Sequence, residues 1–173
     1  MRVLIVGGGI AGLALARALQ ARGITGEIVE RKPEWPSSGA GLYLPGNAVR
    51  ALNELGIGAE VAARAHPIER QRFLDHRGRL LAEIDVGRFW DGVGSCVALP
   101  RTTLHEALLQ GTPVPVRLAT SVTGLENGSE PRVAFSDGSS GTYDLVVGAD
   151  GVHSTVRRLA FGRRPAGYVG QAS

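Results

Sequence analysis

The chain has 173 residues, 43% of them hydrophobic and 20% charged, with a formal net charge of +3. That make-up suits a globular protein with a real core, and it excludes collagen-like, low-complexity and highly charged disordered classes. A single cysteine, Cys96, excludes an internal disulfide framework and a cysteine-based metal site, and it is compatible with a reducing cytoplasm, the compartment we expect.

The first segment is nearly all apolar or glycine from Val3 to Leu15 and by composition resembles a short secretory signal. Gly7, Gly8, Gly9 and Gly12 would weaken the apolar helix such a signal needs, Arg17 follows without a clean cleavage site, and the run is too short to span a membrane. A buried strand at 2–6, a glycine turn and a helix at 10–22 closed by Gly23 explain the same letters better. Residues 27–30 read as a second strand, and the Pro-, Ser- and Gly-bearing stretch 31–41 as a loop. Asn47 is expected to cap a helix through Leu55, closed by Gly56. Further helical turns at 57–65 stop at His66-Pro67.

Residues 70–75 and 79–85, around His76-Arg77-Gly78, predict a β-hairpin. It interrupts the strand–helix rhythm and so belongs to a different sheet. Residues 96–99 form a short strand. Thr103 and Glu106 fit a capping box at the start of a helix that runs to about Gln110 and stops at Gly111. Strands are expected at 114–118, 121–126, 132–135 and 143–147, with a turn at Ser136-Asp137-Gly138. Ser154 caps a last helix to about Ala160, closed by Gly162. No other stretch is long and apolar enough to cross a membrane, so no membrane partner is expected.

The basic residues are almost all arginine, Lys32 being the only lysine. They are scattered, and the nearest thing to a cluster is Arg157, Arg158, Arg163 and Arg164. A nucleic-acid face needs a denser patch and a motif to carry it, so no nucleic-acid partner is expected. The preference for arginine over lysine fits a GC-rich bacterial genome. His105 and His153 have no metal-ligand spacing, and Cys96, in an expected strand, reads as buried and inert. Trp35 and Trp90 have no assignable role.

Gly7-x-Gly9-x-x-Gly12 follows the first strand and opens the first helix. Gly7 permits the tight turn, Gly9 removes a side chain where a pyrophosphate approaches the backbone, and Gly12 lets the helix pack closely on the sheet. The helix N-terminus then presents free N–H groups and a positive dipole end to the phosphates. Glu30 ends the second strand 18 residues after Gly12, where an acidic residue accepts the ribose hydroxyls of a dinucleotide. A carboxylate there disfavours a 2′-phosphate, although Arg31 beside it blurs that inference. NAD and FAD both remain open at this point.

The segment Val146-Val147-Gly148-Ala149-Asp150-Gly151-Val152-His153-Ser154-Thr155-Val156-Arg157 resembles the DG motif of the class A flavoprotein monooxygenases, the aromatic hydroxylases built like para-hydroxybenzoate hydroxylase. Other segments agree in order. Gly39-Ala40-Gly41-Leu42 and Asn47-Ala48 resemble that family's stretch near the flavin, Arg101 with Leu104 and Leu108 its arginine-headed helix, and Ser121-Val122 its strand beside the adenine. The resemblance implies an α/β fold, a Rossmann-like FAD-binding βαβ domain with a partial β-rich substrate-domain excursion. It implies FAD contacts at Gly7, Gly9, Ile10, Ala11, Gly12, Glu30, Arg31, Gly41, Arg101, Val122 and Asp150. Arg157 and Arg158 are candidates for the phosphates of a nicotinamide cofactor. No acid, base or nucleophile stands out as catalytic.

On this resemblance the intact protein hydroxylates an aromatic or similar small molecule, with NADH or NADPH as reductant and oxygen as co-substrate, through a flavin C4a-hydroperoxide. The chain matches neither the family's later Gly-Asp motif nor most of its substrate-covering sheet, and so resembles an amino-terminal fragment. Its expected parts are 1–68 and 99–165 for the FAD domain, 69–98 for a hairpin of the substrate domain, and 166–173 for the start of that domain's sheet. An uncovered hairpin face implies self-association. Three alternatives stay open: another FAD oxidoreductase such as a double-bond reductase, an inactive cofactor-binding module, and a nicotinamide dehydrogenase domain, the last disfavoured by the DG segment.

Overall fold

The computed structural model describes residues 1–111 and 114–162. Arg163, Arg164 and the stretch 166–173 lie outside the described residues.

β1 (Val3–Val6) is an unbroken VLIV run with all four residues buried, as a strand covered on both faces requires. α1 (Ile10–Gln20) follows a glycine turn and buries Gly12, Leu13 and Ala16. Gly23 ends it in the left-handed region, φ +70°. β2 (Gly26–Val29) comes next, so Glu30 is the first residue past the strand. The loop closes at β3 (Gly41–Leu44), a strand that the glycine-rich letters concealed. α2 (Gly46–Glu54), α3 (Gly58–Arg64) and the two-residue β4 (His66–Pro67) lead to the expected hairpin, β5 (Arg70–Leu74) and β6 (Leu80–Asp85). Asp85 caps a short α4 (Val86–Phe89), its side chain accepting from Arg88 N at 2.9 Å. Then come β7 (Val97–Pro100), α5 (Arg101–Leu109) and β8 (Val116–Arg117). β9 (Val122–Glu126), β10 (Arg132–Phe135), β11 (Ser140–Thr142), β12 (Leu145–Gly148) and α6 (Thr155–Phe161) complete the order.

Two helix starts differ from the sequence expectation. α2 is capped by Pro45 and α5 by Pro100, neither with a side-chain cap hydrogen bond. Asn47 lies inside α2, its Oδ1 accepting from Ala48 N at 2.9 Å, and Thr103 and Glu106 both lie inside α5. The fixed φ of proline, −68° and −60° here, carries the end of β3 or β7 straight into a helix, so the helix begins before the polar residue that would have capped it. Ser154 does cap α6, accepting from Arg157 N at 2.9 Å.

The chain forms two compact units, Pro36–Gln110 and the residues on either side of that span. In the flanking unit a four-stranded parallel sheet runs β12-β1-β2-β8, with Val3 level with Gly26 on one side and Leu145 on the other. A three-stranded antiparallel sheet, β11-β10-β9, belongs to the same unit. Leu4, Val6 and Val29 pack with Val122, Val133, Phe135, Tyr143 and Val156 in one core. The alternate residue Ile5 faces α1, where its Cγ2 lies 3.3 Å from the place a Cβ would take on Gly12. Burying each such side chain stabilises the fold by about 1.5–3 kcal/mol.

A polar clamp ties this unit's edge together. Tyr143 Oη donates to Glu27 Oε2 at 2.9 Å, and Arg117 donates to Glu27 Oε1 at 3.3 Å, Asp137 Oδ2 at 2.7 Å and Ser139 Oγ at 2.8 Å. The Arg117 guanidinium also lies 4.4 Å from the Phe135 ring centre. Hydrogen bonds from Ser139, with Arg117 beside it, hold the Asp137 carboxyl down at about 2. Burial, with the Glu27 carboxylate as a second cause, pushes the Tyr143 hydroxyl up to about 12.

In the Pro36–Gln110 unit the antiparallel sheet runs β3-β7-β4. Its core includes Leu52, Val61, Leu99, Leu104 and Leu108. β5 and β6 form a two-stranded sheet of their own with every residue exposed. The pairing sets Arg70 and Arg72 opposite Asp85 and Glu83 on one side, and Gln71 and Phe73 opposite Ile84 and Ala82 on the other.

A tyrosine held protonated by the fold stabilises it in full below pH 10, its ordinary value, and that contribution is lost as pH rises to about 12. Tyr143→Phe is expected to cost about 1–2 kcal/mol at pH 7 and to flatten the loss of stability between those two pH values. Urea unfolding of both proteins across that range checks it.

Candidate functional site

The parallel sheet brings the carboxyl ends of β1, β2 and β12 side by side, which is where open α/β sheets bind ligands. Gly7 turns the chain at φ +108°, a conformation that glycine alone adopts readily. Its N–H donates to Val29 O at 2.8 Å, and Ala149 N donates to Val6 O at 2.8 Å, so the turn is joined to both neighbouring strands. A Cβ on Gly7 would lie 2.5 Å from Ala149 O, and one on Gly12 would lie 1.9 Å from Gly7 O. Neither side chain fits without a shift of the backbone.

Gly9 differs. A Cβ on it would meet nothing within 4 Å, so its bareness leaves space open rather than serving the protein's own packing. Gly9 is also the cap residue of α1 and offers no side-chain cap. The first N–H groups of that helix thus receive no side-chain cap, the condition under which a helix start can take an anion.

Glu30 lies beside this turn with its carboxylate already fixed. Oε2 accepts from Gly8 N at 2.8 Å and Oε1 from Lys32 N at 3.0 Å. Each oxygen keeps a further lone pair for a ligand hydroxyl. Arg31 is exposed next to it.

Asp150 stands past β12. Its Oδ2 accepts from Thr155 N at 2.7 Å and Val156 N at 3.1 Å, bonding the first turn of α6. Its Oδ1 is buried and has no hydrogen-bond partner among the described residues. A buried unpaired carboxylate oxygen is costly and calls for a donor from a ligand or water. Val122 opens β9 with its side chain in the core, so only its backbone is available to a ligand. Arg157, a candidate for nicotinamide phosphates, is exposed and donates through Nη2 to Val152 O at 2.7 Å. Arg158 is exposed in the last turn of α6.

Gly41 and Arg101 lie in the Pro36–Gln110 unit and are neighbours there. β3 pairs Gly41 with Pro100, and Arg101 N donates to Ala40 O at 3.1 Å. The same unit holds an open recess of about 510 Å³ lined by Ile68, Glu69, Trp90 and Cys96 among others, and neither Gly41 nor Arg101 lines it. Cys96 is buried, as expected, and its Sγ accepts from Tyr43 Oη at 3.3 Å. That bond is the main cause pushing the Tyr43 hydroxyl up. Among the described residues no group of three or more His, Cys, Asp or Glu could hold a metal ion.

The donor set fits a dinucleotide such as FAD. The open backbone at Gly9 and the start of α1 suit its diphosphate, Glu30 its adenosine ribose, and the unpaired Asp150 oxygen a hydroxyl donor. Sequence reasoning missed the contact between Gly8 and Trp35. The signal was present in Gly8, the middle of three consecutive glycines, which the fingerprint does not require.

Gly9 and Gly12 separate binding from fold. Gly12→Ala is expected to lower the melting temperature by several degrees, because its Cβ overlaps the Gly7 carbonyl. Gly9→Ala is expected to melt within a degree or two of the parent yet bind a dinucleotide about tenfold more weakly. Thermal unfolding and ligand titration of the two variants check the contrast.

A family model described as FAD binding domain matches residues 1–165. The chain is 36% identical over 177 aligned positions to a 3-amino-4-hydroxybenzoate 2-monooxygenase of Streptomyces platensis, covering 95% of this chain and 43% of that protein. It is 37% identical over 163 positions to the 2-heptyl-3-hydroxy-4(1H)-quinolone synthase of Pseudomonas aeruginosa, covering 93% and 42%. Among solved structures, HpxO of Klebsiella pneumoniae complexed with FAD and uric acid matches with a TM-score of 0.79 and 26% identity, covering 91% of this chain and 41% of that one. The tetrameric form of 2-methyl-3-hydroxypyridine-5-carboxylic acid oxygenase matches with a TM-score of 0.81 and 28% identity, covering 92% and 42%. The chain thus spans little more than two fifths of the relatives' length. With the glycine turn, the fixed Glu30 and the Asp150 segment in place, the chain belongs to the FAD binding domain family, as found in flavin-dependent monooxygenases.

Proposed function

We propose that the protein carrying this chain is an NAD(P)H-dependent flavin monooxygenase that hydroxylates an aromatic or similar small molecule with oxygen. The observation that carries the cofactor assignment is the pairing of an open Gly9 backbone with a Glu30 carboxylate held by two backbone N–H groups. The relatives' names, hydroxybenzoate and quinolone enzymes among them, support the reaction class and the aromatic or heterocyclic substrate.

Bound FAD would supply the redox chemistry that links a nicotinamide reductant to oxygen. This chain's residues bind and orient it. Gly7, Gly9, Ile10, Ala11 and Gly12 present backbone to the diphosphate. Glu30, with Arg31 beside it, takes the adenosine ribose. Val122 offers backbone near the adenine, and Asp150 accepts from the cofactor through its free oxygen. We extend the same proposal to Gly41 and Arg101, the arginine as a charge-assisted partner for phosphate. The exposed hairpin, with Phe73, Leu80 and Ile84 more than a third exposed, is assigned to the substrate domain.

Titration with FAD and, in parallel, with NAD tests the cofactor. FAD is expected to bind more tightly, with its fluorescence changed, and a preference for NAD would overturn the proposal. With cofactor and NAD(P)H supplied, oxygen-dependent formation of a hydroxylated product is the expected reaction. Oxygen-independent reduction of a substrate double bond would favour a reductase instead.

A further inference from the structure

The glycine turn carries one glycine more than a dinucleotide site demands. Gly7, Gly9 and Gly12 each have a role, and Gly8 falls on a free position of the fingerprint. In the structure its missing side chain is filled by another residue. A Cβ on Gly8 would lie 2.6 Å from Cζ3 and 2.8 Å from Cη2 of Trp35, and 3.3 Å from the Cβ of Glu30. The indole therefore rests on bare Gly8 backbone beside the stem of the acidic residue. The N–H of the same Gly8 holds Glu30 Oε2 at 2.8 Å, and Lys32 N–H holds Oε1 at 3.0 Å from within the loop that leads to Trp35.

These contacts have a common effect. A glutamate on a sheet end has free rotation about its side-chain bonds, and a ligand that needs one rotamer must suppress the rest. Here the ring limits where the stem can swing while two amides fix the head.

We propose that Gly8 and Trp35 are a matched pair that holds the Glu30 carboxylate ready for the adenosine ribose, with Trp35 a positioning residue walling that subsite. The inference rests on the FAD reading above. It goes further by assigning a role to an aromatic residue outside the glycine fingerprint.

A double-substitution cycle on the purified apoprotein tests it, with FAD binding read by flavin fluorescence and adenosine diphosphate binding by competition. Trp35→Ala is expected to weaken both ligands about tenfold, and Trp35→Phe, which keeps a ring, by less. Gly8→Ala is expected to weaken both, and Gly8→Ala with Trp35→Ala to cost clearly less than the two losses multiplied, because the added methyl no longer meets the indole. Trp35→Ala binding within twofold of the parent, or a strictly multiplicative double variant, overturns the proposal. Should Trp35→Ala not fold, the cycle is run with Trp35→Phe, and Gly8→Ala binding as the parent does overturns it. Failure of the parent itself to bind FAD overturns the underlying cofactor reading, and this inference with it.

Discussion

Where β1 ends, stretches of backbone touch with no side chain between them. The carbonyl of Gly7 lies in the space that a methyl on Gly12 would need, and the carbonyl of Ala149 in the space that a methyl on Gly7 would need. Two 2.8 Å hydrogen bonds, Gly7 to Val29 and Ala149 to Val6, fix the three chain segments to one another. Everything at the ligand end of the parallel sheet follows from that closeness. It aims the start of α1, sets the exit of β12, and places Glu30 and Asp150 at the same sheet end. The apolar strand VLIV makes it possible, because a strand buried on both faces has its height and direction fixed by packing alone.

Both carboxylates at this end serve the fold and keep capacity for a ligand. Glu30 gathers the N–H groups of Gly8 and Lys32. Asp150 bonds the first turn of α6 with one oxygen and leaves the other buried. A carboxylate already held by the protein does not have to be ordered when a ligand arrives, so binding loses less freedom there.

The sequence was most legible where function requires contiguous residues. The strand–turn–helix of residues 3–20, the acidic residue after β2 and the DG segment are local patterns, and each stands where it was expected. The hairpin at 70–85 was equally plain, because alternation and a glycine turn encode it locally. What stayed hidden was nonlocal or proline-driven. β3 is four residues with two leucines, and only its pairing with β7 makes it a strand. Pro45 and Pro100, not Asn47 and Thr103, stand at the helix starts, because a proline directly after β3 and at the end of β7 leaves no intervening loop. The contact of Trp35 with Gly8 spans 27 positions, and no local rule connects them.

The hairpin has one more consequence. β5 and β6 pair through five registers yet bury no residue, so among the described residues they are held largely by backbone hydrogen bonds and surface ion pairs such as Arg72 with Glu83, with the short α4 beside them. A ribbon without a buried face opens at little free-energy cost, whereas β1 can open only with the whole sheet. Amide protons of the ribbon will accordingly exchange with solvent deuterium orders of magnitude sooner than those of β1, and a protease will find its first cut near Gly78, long before the cofactor end of the sheet is breached.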